Sequence, residues 1–126
     1  MKIKLKIFLS GFLASLFFAF TGCSSDKIER KDFSAITVSF KTDVQPIFIG
    51  SCATSACHDG SISPDLRTAT AYGSLIDTYV LDSVTLTNNS LYNVVVINKT
   101  MPKSRSLSQG EMDIITNWIK QGYHDN

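Results

Sequence analysis

The stretch Cys52-Ala53-Thr54-Ser55-Ala56-Cys57-His58 sets two thiols and an imidazole within seven consecutive positions. Two thiols can add to the two vinyl groups of a porphyrin, and a histidine directly after the second thiol is drawn beneath the macrocycle, where a ring nitrogen reaches the iron. The usual attachment signal is C-x-x-C-H. Here two further residues separate the cysteines. Because the porphyrin sets the vinyl spacing, the insertion must bulge outward while the Cys57-His58 adjacency is kept. The same residues also suit a small-loop disulfide or a Cys/Cys/His zinc site, so three chemistries stand at this point.

The beginning of the chain bears on the compartment. Lys2, Lys4 and Lys6 form a basic segment, Ile7 to Phe20 form an apolar run broken only by Ser10, Gly11 and Ser15, and Thr21-Gly22-Cys23 follows. Such a run is short for a permanent membrane span and reads as an export signal. Removing residues 1–22 takes away Phe8, Phe12, Phe17, Phe18 and Phe20 out of eight phenylalanines. It leaves nine Lys and Arg against eleven Asp and Glu, a net charge of −2. No basic stripe of the kind nucleic acid requires is visible. The polar stretch within residues 23–35 reads as a solvated tether. Residues 36–126 make one domain, of a size at which a core of side chains alone is marginal. A buried, covalently held macrocycle would add apolar mass.

Ile36, Val38 and Phe40 alternate with polar residues, which predicts a short extended segment. Thr42 with Gln45 predicts a capped helix over about Asp43 to Ile49, with Pro46 in its first turn and a stop at Gly50. Asp59 to Asp65 is dense in turn formers. Thr70 to Ile76 predicts a helix with Tyr72, Leu75 and Ile76 on its apolar side, and Thr78 to Asn89 reads as irregular or extended. Ser90 to Val95 suits either helix or strand. Ser108 and Glu111 form a capping box ahead of Met112, Ile115, Trp118 and Ile119, so a helix of about three and a half turns is predicted, ending at Gly122.

An iron held by one histidine has an open side, and methionine is a common partner in electron transfer. Beyond the leader the chain holds Met101 and Met112. Met112 lies in the apolar stripe of the terminal helix and reads as core. Met101 lies in a non-helical stretch before Pro102, which holds its backbone extended, and such a loop can drape over a macrocycle. His124 is a rival in a tail expected to fray, and Arg67 is the candidate partner for a haem propionate.

Two resemblances follow from these residues. Thr21-Gly22-Cys23 resembles a bacterial lipoprotein signal, which implies cleavage before Cys23, lipid on its sulfur, and a lipid-anchored place in the cell envelope, periplasmic or outer-membrane associated. Val38 to Phe48, the Cys52–His58 motif, Asn89 to Tyr92, Met101-Pro102 and Leu107 to Ile119 resemble the small c-type cytochrome domains of Bacteroidetes and planctomycete lipoproteins. That resemblance implies a mostly α fold, cytochrome c-like, with three to five short helices around a covalently bound haem c. It implies thioethers from Cys52 and Cys57 and axial ligation of iron by His58 and Met101. The implied role is a monomeric one-electron carrier serving redox partner proteins, and not an enzyme. Alternatives are a haem site with an open distal position that handles small ligands or peroxide, and a non-haem surface lipoprotein stapled by disulfide or zinc.

Overall fold

Residues 35–79 and 81–126 are described by the computed structural model. The predicted leader, Cys23 and all but the last residue of the predicted tether lie outside the described residues. Among those described, the architecture is mostly helical and contains no strand.

The chain enters as an extended segment pinned to the far end of the molecule. Gln121 accepts from the Val38 N–H (2.8 Å) and donates to the Ile36 carbonyl (2.9 Å), so one side-chain amide substitutes for a strand partner. Val38 and Phe40 are buried as their alternation predicts, whereas Ile36 is exposed. A π-helical turn, Phe40–Val44, then runs into helix α1, Gln45–Ser51. The cap is Ser39 and not Thr42: its hydroxyl accepts from the Thr42 N–H, and Asp43 accepts from the Ser39 N–H. The helical path starts early because Phe40 turns inward onto Trp118 and Phe48, with ring centroids 5.2 and 6.3 Å away. The regular α pattern starts beside Pro46, which has no N–H to donate. Gln45, predicted to complete the cap, instead donates to the Thr68 carbonyl (2.6 Å) and ties α1 to the approach of the next helix. Gly50 does not stop α1, which continues to Ser51 with Cys52 as its C-terminal cap.

Helix α2 spans Ala71–Thr78. Its buried stripe is Ala71 and Leu75, four residues apart, while Ile76, predicted on the apolar side, is exposed. A 3₁₀ turn, Leu86–Asn88, breaks the irregular stretch and delivers Asn89. The helix-or-strand ambiguity of 90–96 resolves as helical: α3, Ser90–Tyr92, continues as a π-helical turn, Asn93–Ile97. Asn89 decides this, because its fully buried side chain accepts from the Tyr92 N–H (2.8 Å) and starts the helix.

Helix α4, Gln109–Lys120, has the predicted reciprocal box between Ser108 and Glu111. Met112, Ile115, Trp118 and Ile119 are buried, and Gly122 turns the chain at φ +95°. The tail beyond does not fray. Trp118 Nε1 donates to the His124 carbonyl (3.0 Å), and the Asn126 carbonyl accepts from Lys41 N–H (3.1 Å) and Ser39 hydroxyl (2.7 Å). Helix α4 packs on the Phe40–Val44 turn and on α3, so the core joins both ends of the domain.

Candidate functional site

Beside this aromatic core lies a cavity of about 340 Å³. Its walls are Phe48 from α1, Leu66, Leu75 from α2, and Leu91, Val94 and Val95 from α3 and the turn after it. Cys52, Cys57, His58 and Met101 all line it as well. Four residues singled out over a span of fifty positions therefore share one apolar space. Every buried side-chain nitrogen or oxygen among the described residues has a hydrogen-bond partner. The space thus offers a guest apolar walls and a few soft or aromatic donor atoms.

Local hydrogen bonds explain how the motif is presented. Cys52 and Ala53 N–H both donate to the Phe48 carbonyl (2.8 Å each), which carries the end of α1 directly into the loop. Cys57 N–H donates to Thr54 O (2.9 Å), and His58 N–H returns to Cys52 O (3.1 Å). The two additional residues are absorbed by a tight turn in which Ser55 and Ala56 are exposed. Ala56 takes φ +63°, a left-handed conformation that is costly for a residue with a Cβ. Asp59 accepts from the Ala56 and Ser61 N–H groups and braces that turn. The Ser61 side chain first, and then these N–H groups, hold the carboxyl of Asp59 below its ordinary range.

The imidazole of His58 is oriented by main chain. Its Nδ1 lies 3.0 Å from Pro64 O and 3.2 Å from Ile62 O. Both are acceptors, so Nδ1 carries the proton and Nε2 keeps a lone pair for a metal. The same peptide unit whose carbonyl takes this bond donates its Asp65 N–H to Ser74 Oγ (2.8 Å) on α2. This is the outer support that metal-bound histidines ordinarily have.

The two cysteines differ. Cys52 is buried and its thiol is pushed up to about 11, chiefly by burial, with Arg105 opposing and Cys57 and Glu111 adding. A neutral sulfur suits that setting, whereas a thiolate would bury charge. Cys57 is half-buried, and the two sulfurs are unpaired. Among the described residues no three of His, Cys, Asp and Glu converge to hold a metal ion. Cys52, Cys57 and His58 are not drawn together as such a set.

The other two candidates lie elsewhere. His124 is exposed and is not part of the cavity wall. Arg67 is outside it too, its guanidinium committed to Asp65 (2.6 Å) and folded over Gly60. Lys103, which the sequence reading passed over, does line the cavity, as does Tyr79, whose phenol burial raises further from ionisation. Neither had a pattern to mark it, since a lone lysine or tyrosine in a loop resembles any other.

No family model, no curated protein and no solved structure matches this chain. Among the described residues no helix is long and apolar enough to cross a membrane.

Proposed function

We propose that this chain is a lipid-anchored c-type cytochrome, a one-electron carrier of cytochrome c-like fold. The observation that carries the reading is the meeting of Cys52, Cys57, His58 and Met101 on one apolar cavity. Disulfide chemistry needs no histidine and no methionine, and zinc prefers a converging polar set. A porphyrin calls for all four together with apolar walls.

In this reading Cys52 and Cys57 would hold the porphyrin as thioethers, and His58 Nε2 and Met101 Sδ would hold the iron. Haem bound in this way supplies a one-electron couple at iron whose reduced form is favoured by the neutral thioether. The chain's residues supply the rest. The Nδ1 contact of His58 with the Pro64 carbonyl holds the ring with Nε2 free for the iron. Phe48, Leu75, Leu91 and Val95 exclude water and lower the local dielectric. Lipid on Cys23 would tether the carrier in the cell envelope beside its redox partners.

The test is expression of the processed protein in a host with haem-attachment machinery. A c-type spectrum of the reduced pyridine adduct is expected, with an intact mass increased by one haem and no alkylatable thiol at Cys52 or Cys57. Colourless protein with both thiols free, or joined to each other, would overturn the proposal.

A further inference from the structure

Met101 belongs to a segment with no helix or strand of its own, yet both flanks of that segment are tied down. Upstream, the Thr100 and Met101 N–H groups share the Val94 carbonyl (2.9 and 3.1 Å). Downstream, two side chains meet at Ser51, the residue immediately before Cys52. Ser104 Oγ donates to the Ser51 carbonyl (3.0 Å), and the Arg105 guanidinium donates to the Ser51 hydroxyl. Both arms of that guanidinium reach the Glu111 carboxylate (3.0 and 2.5 Å), which also caps α4 by accepting from Ser108 N–H (2.8 Å).

Exposed ion pairs usually contribute little. This one differs in that the serine it engages is buried, so the guanidinium spans three elements: the end of α1, the Met101 segment and the start of α4. A planar fork with several fixed donors is suited to holding two acceptors at once, and lysine is not. We propose that Arg105 is the positioning residue for Met101, fixing the methionine's segment to the residue that precedes the first attachment cysteine. The inference rests on the reading of Met101 as an axial ligand.

The test compares Arg105→Ala and Arg105→Lys with Arg67→Ala, which breaks another exposed arginine–carboxylate pair whose arginine is not part of the cavity wall. Two readouts are taken alongside the thermal midpoint. One is the rate at which the native reduced protein binds carbon monoxide. The other is the ratio of sulfoxide at Met101 to sulfoxide at buried Met112 after a brief peroxide pulse, measured by peptide mass. Arg105→Ala is expected to raise both several-fold, Arg105→Lys to restore only part, and Arg67→Ala to change neither. If Arg105→Ala lowers the thermal midpoint and leaves both readouts at their native values, Arg105 is merely structural and the proposal is overturned. Should the native protein carry no haem, the proposed function fails by itself, and the sulfoxide ratio still decides the positioning role: a rise supports it, no change overturns it.

Discussion

His58 illustrates how much a single side chain owes to its surroundings. Its place after Cys57 is written in the chain, but the acceptors that orient its ring are backbone carbonyls of Ile62 and Pro64, which no residue type advertises. Met101 is the complementary case. Nothing distinguishes a loop methionine in sequence beyond the absence of alternatives, and its worth comes from lining the same cavity as His58. Replacing it makes the sharpest prediction at this scale. In the proposed cytochrome, Met101→Ala is expected to keep covalent haem, lower the midpoint potential and turn the reduced protein into a rapid carbon monoxide binder, as stopped-flow absorbance and redox titration would read. A variant that binds carbon monoxide no faster than the native protein would remove Met101 from the ligand set. Ala56 offers a second test, because its φ of +63° is one glycine adopts freely. Ala56→Gly is expected to stabilise the domain by about 0.5–1 kcal/mol in urea denaturation, after the added chain entropy of the unfolded state is set against relief of strain.

Helices were legible where their ends carried side-chain chemistry. The Ser108–Glu111 box announced α4, and both halves of it form. The Thr42–Gln45 pair carried the same pattern without forming it, because Phe40 had to turn toward Trp118 and Ser39 was available one turn earlier to cap the path. Asn89 is the capping residue with most at stake. It is fully buried, accepts from Tyr92 N–H, and donates to the Asp82 carbonyl (3.3 Å). Removing its amide both uncaps α3 and strands buried backbone groups. Asn89→Ala is therefore expected to cost about 1–3 kcal/mol in chemical denaturation, and a change within a few tenths would show that α3 does not depend on its cap. Val94, Val95 and Val96 left the choice between helix and strand open, since β-branched residues suit strands. With no partner strand among the described residues, the capped helical path accommodates them.

Across the whole molecule, the aromatic cluster of Phe40, Phe48, Tyr72, Trp118 and Tyr123 joins the entering segment, α1, α2 and the tail. Phe40 is its hub, and Trp118 links that hub to Tyr123. Trp118→Ala is expected to cost about 3–5 kcal/mol while also releasing the tail bonded to its indole. The dependence on acid follows from Glu111. Arg105 beside it holds its carboxyl down at about 2, below the ordinary 4.5. A depressed carboxyl contributes stability that is fully present above its unfolded value and is lost as pH falls through its folded value. The gap in denaturation midpoint between the native chain and Glu111→Gln should therefore be widest at neutral pH and narrow as pH falls from about 4.5 toward about 2. A gap independent of pH would show that the Arg105 bridge is not electrostatic.

By itself the sequence determined what is local and covalent: the order of Cys52, Cys57 and His58, the turn chemistry of 59–65, and the amphipathic stripe and capping box of α4. Such features depend on neighbours within a few positions, whose spacing the chain sets directly. Only the tertiary structure decided that Met101 shares a cavity with His58, that Gln121 stands in for a strand beside Val38, and that Arg105 reaches Ser51. Those contacts join residues more than forty positions apart, where the spacing of residues carries no distance and packing alone brings groups together.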